Sequence, residues 1–194
     1  MSKELTNPLA SVIAAARKGL PQTTGATAQA EALRSRPRVH VVLADVSGSM
    51  AEPAGRRRKI DVLAEALQGV PAGSRLVAFC DVVIPLASPS QMPGPEGSTA
   101  LHLALDHCRQ IGATDVLVIS DGHPDNGGAA LAIAEAMDAR IDVIYCGPET
   151  DRAGLAFMRR LARGGGAAHR HSFDQAPRLT EAVRRLALPP AGTK

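Results

Sequence analysis

Residues Arg38 to Met50, RVHVVLADVSGSM, set a run of β-branched and aliphatic residues, Val39 to Ala44, directly ahead of an acid, two hydroxyls and a glycine. A short apolar run that ends in a Gly/Ser turn predicts a strand buried on both faces, and such strands belong to sheets covered by helices on either side. The polar triplet Asp45-x-Ser47-x-Ser49 then lies just past the strand's carboxyl end. In open α/β sheets that end is where ligands bind, in the crevice above the strand tips. Three oxygen side chains at i, i+2 and i+4, in a turn loosened by Gly48, can converge on one point. A hard cation, which takes oxygen ligands, makes such convergence favourable.

The segment Asp45-Val46-Ser47-Gly48-Ser49 resembles the DxSxS signature of von Willebrand factor A domains, their metal-ion-dependent adhesion site. That family completes its site with a threonine from a second loop and an aspartate from a third. Here Glu96-Gly97-Ser98-Thr99-Ala100-Leu101 resembles the Gly-rich loop that ends in the threonine, and Val116 to Gly122, VLVISDG, resembles the strand followed by Asp-Gly. The resemblance nominates Asp45, Ser47, Ser49, Thr99 and Asp121 as metal ligands, in the family's order, with Gly48, Met50, Ser98, Gly122 and His123 on the rim that a partner meets. It also implies Mg²⁺ as cofactor, with Mn²⁺ or Ca²⁺ as substitutes. A carboxylate from a partner protein is implied at the metal's last position.

Elsewhere the pattern alternates between strand and helix. Ile60, Leu63, Ala64 and Leu67 stand at i, i+3, i+4 and i+7 and predict an amphipathic helix over Arg58 to Val70, closed by Gly69 and Pro71. Arg75 to Cys80 and Val82 to Leu86 read as strands joined tightly around Asp81, which makes the pair antiparallel. Ala87 to Gly97, rich in proline and glycine, is a loop that delivers Thr99 to a helix over Ala100 to Gln110. Further strands are expected at Asp115 to Ser120, Ile141 to Cys146 and Ala167 to Phe173, and further helices at Asn126 to Arg140, Arg152 to Arg163 and Asp174 to Leu188.

This alternation predicts an α/β fold, a doubly wound and mostly parallel sheet with one antiparallel edge strand and helices on both faces. The resemblance sets the sheet at six strands. The domain is expected over residues 38–188, preceded by a helical arm and linker at 1–37 and followed by a tail at 189–194. In the arm, Leu9, Val12, Ile13 and Ala16 fall at helical spacing.

Aromatic residues make up only 2% of the chain and there is no Trp, so the core must be Ala, Val, Leu and Ile, and stacking of nucleobases on aromatic platforms is disfavoured. A formal charge of +3 gives no large nucleic-acid footprint either. Cys80, Cys108 and Cys146 are scattered and outside any Cys-x-x-Cys spacing, which reads as reduced, mostly buried thiols of a cytoplasmic protein. No apolar run approaches the ~20 residues that span a bilayer. Glu4 and Pro8 stand where a signal peptide needs basic and then unbroken apolar residues.

Two classes of function fit these residues. The first is a non-enzymatic, Mg²⁺-dependent adaptor that binds an Asp or Glu of a partner protein; the resemblance makes an ATPase-containing assembly a candidate partner. The second is a Mg²⁺-dependent hydrolase or phosphotransferase built on the same ions and acids. The chain lacks a second aspartate at Ser47 as in haloacid dehalogenases, a GxxxxGK[ST] loop and the glycines of a GxSxG elbow, and His123 is the one evident acid–base group nearby. Arg56-Arg57-Arg58-Lys59 leads into the first helix of the domain, where positive charge opposes the macrodipole. Its plain reading is a solvated charge run, its functional one an anionic partner surface.

Overall fold

The structure, a computed structural model, describes residues 37–187. Within them the chain runs β1 (His40–Asp45), the short strands β2 (Pro53–Ala54) and β3 (Arg57–Arg58), α1 (Lys59–Ala66), β4 (Arg75–Phe79), β5 (Val83–Leu86), α2 (Leu101–Gln110), β6 (Asp115–Ser120), α3 (Gly127–Ala136), β7 (Arg140–Tyr145), α4 (Arg152–Leu161), β8 (Ala168–Arg170) and α5 (Ala176–Ala187). Six strands form one sheet in the order β5-β4-β1-β6-β7-β8. All neighbours are parallel except β5, which lies antiparallel to β4 at the edge. The fold is therefore the expected doubly wound α/β sheet.

The central strands carry no polar alternation because both of their faces are covered. Val42 and Ala44 of β1, with Leu117 and Ile119 of β6, pack against Ile60 and Leu63 of α1 and Leu179 and Val183 of α5. Val41 and Leu43, with Val116 and Val118, pack instead against Leu101 and Leu105 of α2, Ala130 of α3, and Met158 of α4. The chain leaves β1 for β4 on one side and later crosses to β6 on the other. Between β1 and β6 the connections diverge in opposite directions, which opens a crevice at the carboxyl ends of these two strands. Asp45 ends β1 and Ser120 ends β6, so both strands feed this crevice.

Several boundaries differ from expectation. The helix expected over Asn126 to Arg140 stops at Ala136, and Arg140 already belongs to β7. Met137 turns to extended backbone without a glycine or proline to announce it. The last strand is only Ala168–Arg170; Phe173 leaves the sheet for a 3-10 turn and is buried under it. The β2–β3 hairpin, turned at Gly55 with φ of 62°, was not expected at all. The arm expected at 1–37, apart from Pro37, and the tail expected at 189–194, together with Leu188, lie outside the described residues.

All three cysteines are free and buried. Burial pushes the Cys108 thiol up to about 12 and raises Cys146 as well, so neither holds the thiolate that reacts. A thiol reagent at pH 8 is expected to leave the folded protein unlabelled and to modify Cys80, Cys108 and Cys146 once denaturant is added, read by intact mass. Leu43→Ala, which empties space in a core position buried on every side, is expected to cost about 2–5 kcal/mol in urea denaturation.

Candidate cation and partner-binding site

Asp45 is fully buried at the tip of β1. A buried carboxylate needs partners for its charge, and two are supplied locally. The backbone N–H of Ser47 donates to Asp45 Oδ1 at 2.9 Å, and the Ser120 hydroxyl at the end of β6 donates to Oδ2 at 2.6 Å. Burial pushes the Asp45 carboxyl above its ordinary range, against those hydrogen bonds, and the nearby charge of Asp121 adds to the rise. The crevice thus stores an unfavourable charge that an added cation would relieve.

The two serines of the first loop reach across to the third. Ser49 Oγ donates to Asp121 Oδ1 at 2.8 Å, and the hydroxyls of Ser47 and Ser49 lie 3.2 Å apart. Since Ser49 spends its proton on Asp121, Ser47 supplies the proton between the two hydroxyls. Their remaining lone pairs are free to accept a ligand.

Thr99 enters from the second loop, which is pinned on every side. Gly48 N–H donates to Gly97 O at 3.1 Å, Glu96 N–H to Val46 O at 3.0 Å, and Ala100 N–H to Cys80 O at 2.8 Å. Gly97 sits at φ of 68°, and a side chain there would come within 2.4 Å of Asp81 Oδ1. Asp125 clamps the loop from the other side: its Oδ1 accepts the Thr99 N–H at 3.2 Å and its Oδ2 the Ser98 hydroxyl at 2.5 Å. The Thr99 hydroxyl lies 4.0 Å from where a side chain at Gly122 would begin. All five nominated ligand residues are therefore held on three adjoining loops at one end of the sheet.

The residues expected on the rim differ in exposure. Gly48, Ser98 and His123 are exposed and Gly122 is half-buried, but Met50 is 0% exposed and packs into the core beneath α1. Met50 is a floor residue, because the 3-10 turn Gly48–Ala51 folds its side chain inward. Ser120 and Asp125 were not among the nominated residues, although each fixes one of them.

The largest departure is Lys59. Its Nζ donates to Asp121 Oδ2 at 2.5 Å and to Glu52 Oε2 at 2.6 Å. Burial pushes the Lys59 ammonium down, but the hydrogen bonds and charges of Asp121 and Glu52 outweigh this and raise it. The basic run is thereby accounted for almost residue by residue: Arg57 pairs with Glu65, Arg58 with Asp61, and Lys59 with the site. Asp61, in the first turn of α1, answers the charge that opposes the helix dipole.

His123 has a partner of its own. Its Nε2 lies 2.9 Å from Asp151 Oδ2, which also accepts the hydroxyl of Tyr145 at 2.7 Å, while Asp151 Oδ1 accepts the Gly154 N–H at the start of α4. The Tyr145 hydroxyl foremost, then the Gly154 N–H and the imidazole, hold the Asp151 carboxyl below the usual carboxylate range.

Among the described residues no group of three or more His, Cys, Asp and Glu converges. The donors at the crevice are two carboxylates and three hydroxyls, all oxygen and carrying two negative charges, which suits a small hard divalent ion rather than zinc. An ammonium already stands on Asp121, so the position attracts cations in this chain. The residues fit the Mg²⁺ that the sequence resemblance implies.

No family model and no curated protein matches the sequence. Solved structures do share its fold. A von Willebrand factor type A protein from Catenulispora acidiphila superposes with a TM-score of 0.61 at 17% identity, over 77% of this chain and 42% of that one. The PilB minor pilin from Streptococcus sanguinis superposes with a TM-score of 0.55 at 12% identity, over 78% of this chain and 61% of that one. This chain thus spans under two thirds of either structure's length. The likeness is one of fold, and the fold is that of a von Willebrand factor A domain.

Two substitutions separate the cost of the site from its support. Ser120→Ala removes a donor from a buried carboxylate and is expected to destabilise by about 1–3 kcal/mol. Asp45→Asn keeps the oxygen that accepts from Ser47 and removes the buried charge. In chelator it is expected to raise the urea midpoint above wild type; a lower midpoint would mean that Asp45 is a stabilising group.

Proposed function

We propose that this protein is a Mg²⁺-dependent protein-interaction module that takes an Asp or Glu side chain of a partner at the three-loop crevice. The observation that carries the reading is the placement of Asp45, Ser47, Ser49, Thr99 and Asp121 around the switch point between β1 and β6, with the Lys59 ammonium on Asp121. The bound ion would supply an electrophilic coordination position that a carboxylate can fill. Around it the chain's own residues divide the work. Ser47, Ser49 and Thr99 offer neutral hydroxyl oxygens, so that the ion keeps positive charge for an external acid. Asp45 is held by hydrogen bonds from Ser120 and the Ser47 N–H, and would supply negative charge to the ion. Asp121 is held in place by Ser49, and Asp125 keeps the Thr99 loop from drifting.

Exposed Gly48, Ser98 and His123 then form the surface that a partner meets. The proposal extends to a cytoplasmic setting, since three buried and unbridged thiols suit a reducing compartment. Among the described residues no helix is long and apolar enough to cross a membrane. An ATPase-containing assembly is the partner to look for first.

One observation favours a second reading. His123 beside Asp121 is oriented by the Asp151 carboxylate, an arrangement that can hold a general acid or base in position. A Mg²⁺-dependent hydrolase would use it. Turnover of a generic phosphoester that needs Mg²⁺ and disappears in His123→Ala would support that reading; its absence would remove it.

For the interaction module, a saturating excess of Mg²⁺ near 100 times its Kd is expected to add about 2.7 kcal/mol of stability, raising Tm by about 5–10 °C. Asp45→Ala is expected to abolish the rise. Affinity capture with wild type in Mg²⁺ should retain a partner that is lost with chelator and with Asp45→Ala. Equal capture in all conditions would contradict a metal-bridged contact.

A further inference from the structure

The hairpin between β1 and α1 has one consequence for the site. Glu52 precedes β2 and Lys59 follows β3, and the Lys59 N–H donates to the Glu52 carbonyl at 3.0 Å, closing the hairpin at its base. This closure sets the lysine at the mouth of the crevice with its ammonium between two carboxylates of opposite character. The Lys59 side chain is 15% exposed and that of Asp121 is 1% exposed, whereas that of Glu52 is 61% exposed. One partner belongs to the site and the other to the solvent.

Asp121 has no oxygen left over: Oδ1 accepts from Ser49 and Oδ2 from Lys59. A divalent ion drawn to Asp121 Oδ2 would meet the ammonium as a like charge at contact distance, so the two compete for that oxygen. There is room for the lysine to leave. Lys59 also borders an open groove of about 810 Å³, flanked by Glu52, Cys146, Arg170, His171 and Phe173. Glu52, at the groove's edge, keeps a carboxylate within reach of the displaced ammonium.

Resting on the cation-site reading above, we propose that Lys59 is a built-in competitor of the divalent ion. It neutralises Asp121 while the metal is absent and, when the metal binds, keeps its bond to Glu52 and swings away from Asp121 toward the groove. The site then works as a cation exchange: loading with metal expels a positive charge onto the neighbouring surface, and a partner would meet the released ammonium together with the ion. The hairpin fixes where that charge appears.

The test exploits composition. Lys59 is the only lysine between residues 37 and 187, so its acylation by an amine reagent is read unambiguously by peptide mass spectrometry. On the wild-type chain of 194 residues, Mg²⁺ or Mn²⁺ is titrated while cation binding is followed by calorimetry and Lys59 labelling by mass. The expected result is a several-fold rise in Lys59 labelling at the same midpoint as metal binding, with no change in the labelling of Lys3 or Lys194. Lys59→Met, with Lys59→Gln as a second variant should the first fold poorly, is expected to bind the ion more tightly by on the order of tenfold, the scale of one coupled charge. Metal binding that leaves Lys59 labelling unchanged overturns the exchange while leaving the cation site standing. Weaker binding in both variants overturns it too, because Lys59 would then support the site. If neither wild type nor the variants bind a divalent ion, the cation-site reading falls and the exchange with it.

Discussion

Two carboxylates facing the same crevice, one at the tip of β1 and the other just past β6, are the constraint around which this chain is arranged. Asp45 is buried where charge is costly, and it is held there by a hydrogen bond from Ser120 that the sheet register makes available and by one from the Ser47 N–H in the turn that follows. Parallel pairing of β1 with β6 brings Ser120 alongside Asp45. The apolar runs that form those strands fill two cores, one on each face, and so lock that register. Packing energy from the interior is thus what holds an unfavourable charge at the carboxyl end of the sheet.

The loops translate this into a shaped site. Gly97 in the left-handed region lets the second loop pass close to Asp81, and Asp125 ties it to the third. On the far side of Asp121, a side chain at Gly147 would come within 2.5 Å of the Asp121 carbonyl, so the loop after β7 presses directly against the third loop. The Ser47 and Ser49 hydroxyls bond each other, and Ser49 bonds Asp121. Lys59 balances what the hydroxyls leave unneutralised.

Much of this was legible in the sequence. β1 and β6 were readable because strands buried on both faces carry unbroken aliphatic runs, and the tight link at Asp81 gave the antiparallel edge. Helix ends were harder to place. The alanine-rich stretch through Ala139 carries no breaker after Ala136, so α3 looked longer than it is. Met50 looked like a rim residue because it follows the serine loop, yet the 3-10 turn points it into the core. Lys59 was hidden for a different reason. In Arg56-Arg57-Arg58-Lys59 it reads as one member of a solvated run, and only the hairpin around Gly55 separates it from its neighbours. Glu52, seven residues ahead across Ala54-Gly55, was the available signal for that hairpin. Ser120, the donor that holds Asp45 in place, was invisible as a site residue because it ends an apolar strand.

The most direct measurement of the central claim is anomalous diffraction from crystals of this protein grown with Mn²⁺. The account predicts one strong peak in the crevice, roughly 2 Å from the hydroxyl oxygens of Ser47 and Ser49, with Lys59 turned away from Asp121. Saturating Mn²⁺ that leaves the crevice without a peak, and Lys59 still bonded to Asp121, would contradict it.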